Sequence, residues 1–317
     1  MKKVWFCLMA CIMSAILATG CGSPDKAPAT SGTAASELAI GLMPDTDSVP
    51  FIVAREKGFF EAEGVAVRLV PFKSAMDRDA ALQSGNLDGA VSDLLAVAFL
   101  KAGGFDVAVT SRTDGSYRLV AGKTEPSKNV KDLAGREVAI SRNTIIEYVT
   151  DQILAREQMA PDSFRKIAIP QIPARLEMLQ NGKLAAATLP EPMASVAVYN
   201  GCHFITGSDE LGINPGVMVF TRPTVTQRRK ELQAMYRAYN RAVEYLQNTK
   251  REEYIGFIVE KAGFPEATRE ALKLPAYQVA ALPSEKDAVE TMTWLREKKL
   301  ISQSYTYQDL VVGDCLP

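Results

Sequence analysis

Short polar clusters, each set directly after an apolar run, hold the residues of this chain best suited to chemistry. The first is Asp45-Thr46-Asp47-Ser48-Val49-Pro50-Phe51. It offers carboxylates, hydroxyls, an aromatic ring and, where a helix opens at Pro50, free backbone N–H groups. A plain helix cap by Asp47 or Ser48 is a second role open to the same residues. Lys73-Ser74 and Ser92-Asp93 follow the next apolar runs, and Ser92 suits a cap as well as it suits a ligand. Ser111-Arg112-Thr113-Asp114 supplies a cation for an acidic ligand, or an Arg112–Asp114 pair. Ser141-Arg142-Asn143-Thr144 brings several donors to the expected start of a long helix, with Glu147 one turn inside. Glu191 stands between Pro190 and Pro192, whose fixed backbone holds it at a strand end. Asn214, next to Pro215, completes the set.

These residues favour binding over reaction. The acids Asp45, Asp47, Asp93, Asp114 and Glu191 outnumber the cations Arg112 and Arg142. That balance leans toward an organic ligand carrying donor groups, an amine or a heterocycle, and away from a small inorganic oxyanion. One histidine, His203, and five cysteines in 317 residues leave too few N and S ligands for a zinc site. Nothing around His203 suggests a hydrolytic triad. Neither G-x-G-x-x-G nor G-x-x-x-x-G-K-[ST] occurs, which disfavours a nucleotide site, and no cofactor is expected. Lys plus Arg total 36 against 37 Asp plus Glu, so charge gives no general reason to bind nucleic acid.

The elements that must position these clusters alternate. Leu38 to Met43, Val65 to Val70, Leu87 to Val91 and Val107 to Thr110 read as strands. Helices at Pro50–Lys57, Asp77–Ser84 and Leu94–Lys101 separate them. The pattern repeats in a second unit, with strands at Glu137–Ile140, Lys166–Ile169, Ala185–Leu189 and His203–Ile205. Gly216 to Phe220 follows as a further strand. The remainder is mainly helical, and Leu232, Met235, Tyr236, Tyr239, Val243 and Leu246 mark one apolar helix face. Strands separated by helices argue for mostly parallel sheets, with ligands at the carboxyl ends of the strands.

The N-terminus has its own pattern. Met1-Lys2-Lys3, an apolar run from Val4 to Leu17 and small residues before Cys21 make a secretory signal over residues 1–20. The cysteine after small residues resembles the bacterial lipoprotein signal, in which the residue matching Cys21 is lipidated. Residues 21–37, rich in Ser, Thr, Ala, Pro and Gly, read as a flexible tether. Without Lys2 and Lys3 the balance becomes 34 positive against 37 negative, a net of −3. Cys202 and Cys315 then remain in the folded part, either paired or as two separate thiols.

Five segments, in order, resemble one family. Ala54-Arg55-Glu56-Lys57-Gly58-Phe59-Phe60-Glu61-Ala62-Glu63-Gly64-Val65 is similar to the "A-x-x-K-G-F-F-x-x-x-G" stretch of the substrate-binding proteins of bacterial ABC importers. The branch is that of the sulfonate, nitrate, taurine and thiamine-pyrimidine binders. Ala81 to Ala90, Leu133 to Ala139, Gly216 to Phe220 and Ala238 to Leu246 resemble its later segments. The resemblance implies an α/β, two-lobed periplasmic-binding-protein fold of the second type: two doubly wound sheets joined by two crossovers. Lobe one would be residues 38–115 and 217–317, and lobe two residues 116–216. The family closes its lobes on a small-molecule solute and presents it to a membrane permease and, through that, an ATPase. The expected ligand contacts are Asp45, Asp47, Ser48, Val49, Phe51, Ser74, Ser92, Asp93, Arg112, Asp114, Ser141, Asn143, Thr144, Glu191 and Asn214. The protein would be a lipid-anchored, extracytoplasmic, non-catalytic binder on a membrane surface. A cleft-binding sensor, and a pyrimidine-precursor enzyme of the same fold, are the alternatives.

Overall fold

The computed structural model describes residues 37–317. The secretory signal, Cys21 and all of the tether before Glu37 lie outside the described residues.

Ten strands form two five-stranded sheets. The first contains β1 (Leu38–Leu42), β2 (Val67–Pro71), β3 (Gly89–Asp93), β4 (Val107–Arg112) and β10 (Gly216–Thr221), in the order β2-β1-β3-β10-β4. The second contains β5 (Tyr117–Ala121), β6 (Glu137–Ile140), β7 (Arg165–Ala168), β8 (Ala186–Pro190) and β9 (His203–Gly207), in the order β7-β6-β8-β5-β9. Each sheet has parallel strands with one returning strand set antiparallel: β10 against β3 and β4, and β5 against β8 and β9. Flanked by helices, this is the expected two-lobed α/β architecture. The chain leaves sheet one through residues 113–116 and returns through residues 212–215.

Local chemistry explains the elements. Every residue of β1 is buried, as a central strand covered on both faces requires. Helix α1 (Val49–Glu56) carries Pro50 in its first turn, where a missing N–H costs nothing. Gly58, at φ 67°, supplies the left-handed residue just past its end. The helices that matter for the cavity are α2 (Ala75–Gln83), α3 (Leu94–Ala102), α4 (Ile145–Arg156), α5 (Ile172–Gln180) and α6 (Met193–Tyr199). Helix α7 (Arg229–Asn248) packs on α1, and α8 (Glu285–Glu297) packs on α3. Leu232, Met235, Tyr236, Tyr239, Val243 and Leu246 of α7 are all buried, as their spacing predicts.

One feature departs from the sequence pattern, and another decides between two readings that the sequence left open. Strand β5 was not expected. Its five residues, one of them Arg118, look like connecting chain, and only the pairing with β8 and β9 makes them a strand. Cys202 and Cys315 are both buried and both free, so the pairing left open by the sequence does not form. Cys202 precedes β9 in sheet two. The C-terminus instead lies along sheet one, where Val311 bridges Val109 and Arg229 pairs with Asp314.

Candidate solute cavity

The strand ends of both sheets converge on one cavity of about 40 Å³, room for a few water-sized groups with the lobes as they stand. From sheet one come Met43, Asp45, Val91, Ser92 and Asp93, with Ala75 and Arg78 from α2. From sheet two come Tyr117, Ser141, Pro170, Arg175 and Pro190, with Ile145 and Ile146 at the start of α4 and Ile172 on α5. The walls are therefore largely apolar, with a few polar groups among them.

Backbone and side-chain bonds join the two lobes around this space. The Thr46 N–H donates to the Glu191 carbonyl at 2.9 Å, and the Ile172 N–H to the Lys73 carbonyl at 3.0 Å. The Gln171 amide donates to Asp77 at 2.9 Å, and the Tyr117 hydroxyl to Asp47 at 3.1 Å.

Five of the expected residues line the cavity: Asp45, Ser92, Asp93, Ser141 and Thr144. Asp45 accepts from the Ser48 N–H at 3.2 Å and lies 3.1 Å from the Ser48 hydroxyl oxygen. Burial, then the neighbouring Asp47 charge, holds its pKa well above the usual carboxylate range. Asp93 caps α3 by accepting from the Ala96 N–H at 2.8 Å. Burial raises its pKa too, against the pull of Arg78 and of the Ala96 and Ile145 N–H groups. Thr144 caps α4 through the Ile146 N–H at 3.2 Å, while its hydroxyl donates to the Ser141 carbonyl at 2.8 Å. Ser92 is 5% exposed, and its hydroxyl has no partner.

The other expected contacts lie elsewhere, each for a visible reason. Val49 and Phe51 are fully buried, and Phe51 packs on Tyr239 with ring centroids 5.0 Å apart. The Ser48 hydroxyl donates to the Met43 carbonyl at 2.8 Å and so closes its own loop. Ser74 caps α2 and donates to Asp77 at 2.7 Å. Arg112 and Asp114 pair with each other at 3.1 Å, and Asp114 also accepts from the Gln278 N–H at 2.8 Å. Asn143, at φ 56°, gives its N–H to Glu147 at 2.7 Å. Arg142 is exposed. The Glu191 carboxylate pairs with Arg118 at 2.9 Å and accepts from the Ser195 N–H at 3.0 Å, inside sheet two. Its contribution to the cleft is the backbone bond to Thr46. Asn214 donates its N–H to Asp287 at 3.1 Å and its side-chain amide to the Thr113 carbonyl at 2.5 Å, tying the two crossovers together.

Asp47 also belongs to the crossovers. A Cβ at Gly115 would lie 1.9 Å from the Asp47 carboxylate, so only glycine lets the first crossover pass. Burial pushes the Asp47 pKa up to about 6, with the Tyr117 hydroxyl among the groups opposing it.

The two cavity arginines were missed by the sequence reading. Arg78 is 3% exposed, pairs with Asp79 at 2.8 Å and donates to the Val91 carbonyl at 3.2 Å. Arg175 is fully buried; its Nε donates to the Thr188 carbonyl at 3.0 Å and one terminal nitrogen to the Ile169 carbonyl at 2.6 Å. The other terminal nitrogen, Nη2, has no partner, and among the described residues no carboxylate pairs with this guanidinium. Burial alone lowers its pKa to about 9. A signal for it exists. Three residues separate the end of β7 from the start of α5, so the strand-end rule that selected the Ser141 loop points to this helix start as well, and Arg175 is the fourth residue of α5.

Two lobes with strand ends facing a shared, mostly apolar cavity define the architecture of the periplasmic binding proteins. Solved structures agree. The ligand-binding component of an ABC-type import system from Staphylococcus aureus, described with zinc bound, superimposes with a TM-score of 0.75 at 15% identity, covering 88% of this chain and 97% of that one. The periplasmic aliphatic sulphonate binding protein SsuA of Escherichia coli gives 0.71 at 17% identity, covering 87% and 92%. The periplasmic nitrate-binding protein NrtA of Synechocystis PCC 6803 gives 0.62 at 17% identity, covering 78% and 74%. A search of the curated proteins matched none. The model of the NMT1-like family matches residues 31–259, and the chain belongs to that family. Among the described residues, no group of three or more His, Cys, Asp or Glu is placed to hold a metal ion.

Proposed function

We propose that the protein is the solute-binding component of an ABC importer, anchored by a lipid on Cys21 outside the cytoplasmic membrane. Residues 1–20 direct export, and residues 21–37 tether the folded body. Lobe one is residues 38–115 and 217–317, and lobe two residues 116–216. The lobes enclose a small organic solute, and a permease with its ATPase receives it. The protein binds and releases without turnover.

Arg175 is the observation that carries this reading. Burying a guanidinium is costly without a compensating charge or full hydrogen bonding. Arg175 keeps one nitrogen unused beside a cavity in which Ser92 is also unpartnered. The solute therefore presents an acceptor or anionic group to Arg175 and Ser92. Its body meets Met43, Val91, Ile145, Ile146 and Ile172. This alters the balance that favoured an amine. Asp114 is neutralised by Arg112, Asp45 is shifted toward its protonated form, and two arginines join the cavity.

Thermal-shift screening against sulfonates, carboxylates, amines, pyrimidines and flavin-like compounds tests the reading. At least one class should raise Tm in the wild type and fail to do so in Arg175→Met. A panel without any stabilising compound, or a solute consumed on incubation, would count against it. For the anchor, Cys21→Ser should abolish labelling by radioactive palmitate.

A further inference from the structure

We propose that Lys298 and Trp294 form a latch between the lobes, holding α8 of the sheet-one lobe against α4 of the sheet-two lobe and so favouring the closed arrangement. The proposal rests on the two-sheet architecture and not on the identity of the solute.

The latch is a compact set of contacts. The Lys298 ammonium, at the C-cap of α8, donates to Glu147 at 2.7 Å and to Asp151 at 2.9 Å, both on α4. The Trp294 indole N–H donates to Asp151 at 3.1 Å. The Trp294 ring meets Tyr148 of α4 edge-on, with centroids 5.6 Å apart and an 88° angle between planes. Lys166, beside β6 in sheet two, also pairs with Asp151.

Charge makes these contacts directional. The Glu147 and Asp151 side chains are 4% and 5% exposed. With Lys166 and Lys298 present, two buried acids face two cations. Moving α8 away leaves two buried acids with Lys166 alone, an arrangement disfavoured until water enters. Contact between the lobes is therefore self-reinforcing at this point.

Position makes α8 a lever. Its first turn is tied to the second crossover, where Asp287 accepts from the Asn214 N–H at 3.1 Å. Lys298 lies eleven residues further on, about 16 Å at the helical rise. Two short crossovers joining two sheets make a hinge the expected mode of motion. A contact at the far end of the lever moves more than one at the hinge. The same end touches the cavity, because Glu147 also holds the Asn143 N–H at the entry to α4, whose Thr144, Ile145 and Ile146 line it.

Spin labels at Gln83→Cys and Glu177→Cys, exposed positions on α2 and α5, report the separation of the lobes. Cys202 and Cys315 are buried and should stay unlabelled. In the full chain with Cys7, Cys11 and Cys21 replaced by Ser so that they take no label, Lys298→Met should raise the long-distance population about tenfold, a buried-pair effect reduced by the partial exposure of Lys298. Lys298→Arg should restore the wild-type distribution. Trp294→Phe, which keeps an aromatic ring on Tyr148 and loses only the indole donor, should give a smaller shift in the same direction. A lower melting temperature with unchanged distances in Lys298→Met would overturn the latch. Should Lys298→Met fail to fold, Trp294→Phe decides alone, and unchanged distances there overturn it.

Discussion

Two buried charged regions of this molecule follow opposite rules. Around Asp151 every charge has a partner: Lys166, Lys298 and the Trp294 indole converge on one carboxylate, and Lys298 reaches Glu147 as well. Around Arg175 the accounts stay open, with an unused guanidinium nitrogen and no acid in reach among the described residues. A satisfied cluster rigidifies the structure that contains it. An unsatisfied buried group is carried at some expense in stability and waits for a partner from outside. The contrast separates what holds the lobes from what the lobes hold.

The strongest way to break the contrast is at Asp151. Asp151→Ala leaves two ammonium groups and an indole N–H facing a gap, and breaking a buried network of this kind costs about 3–5 kcal/mol. Urea denaturation should show a loss of that order. At Arg175 the outcome should be reversed. Arg175→Met removes a buried charge along with its bonds to two carbonyls, and these effects oppose each other. Stability should change by less than about 1 kcal/mol, while affinity for a stabilising solute should fall about 100-fold, as for one half of a buried charged pair. A large loss of stability in Arg175→Met with affinity retained would show the two regions to be of one kind.

The crossover and the Asp151 cluster should differ in the sign of their pH dependence. Burial raises the pKa of Asp47, beside the crossover, to about 6. Because the folded protein holds this proton more tightly than the unfolded chain, the contribution is present at low pH and lost as pH rises from about 4 to 6. A shift of that size corresponds to roughly 3 kcal/mol. Asp47→Asn, nearly isosteric and still able to accept from Tyr117, should flatten the stability profile across that window. For Glu147, burial pushes the pKa up, but the Lys298 bond and the Asn143 N–H outweigh it, and the net shift is downward. Its contribution is therefore present above the ordinary glutamate range and lost as pH falls below it. Glu147→Gln should remove that acid-side loss and leave the Asp47 decline between about 5 and 6 unchanged.

Much of the fold could be read from the chain, because alternation of strand and helix is a local property. Strand β1 and helix α7 announce themselves by an apolar run and by a three-to-four spacing. Strand β5 could not be read that way, since it exists through partners about seventy to ninety residues away, in β8 and β9. The site was legible where a polar residue stands at the end of a strand or just past it, as with Ser92, Asp93 and Ser141. It was obscured where the same turn faces a crossover, as with Asp47 and Asn214, or closes on itself, as with Ser48. Arg78 was hidden by a different cause. A helix interior that reads Asp77-Arg78-Asp79 looks like a solvated face, and only the packing of α2 against sheet one buries the middle residue.

The smallest expected effect is at Arg112, the arginine that the sequence favoured for an acidic ligand. Its side chain is 32% exposed and already bound to Asp114 at 3.1 Å, so its charge is satisfied and partly hydrated. Exposed pairs of this kind contribute about 0–1 kcal/mol. Arg112→Gln should therefore lower stability by about 0.5 kcal/mol or less. It should leave solute affinity unchanged, because Arg112 does not line the cavity. The two arginines then form a matched test, one removed from a satisfied pair and one from an unsatisfied cavity. Calorimetric titration of Arg112→Gln and Arg175→Met with the same stabilising solute should show loss in the second alone. Equal losses would mean that charge anywhere near the cleft governs affinity, and the unpaired state of Arg175 would have no special weight.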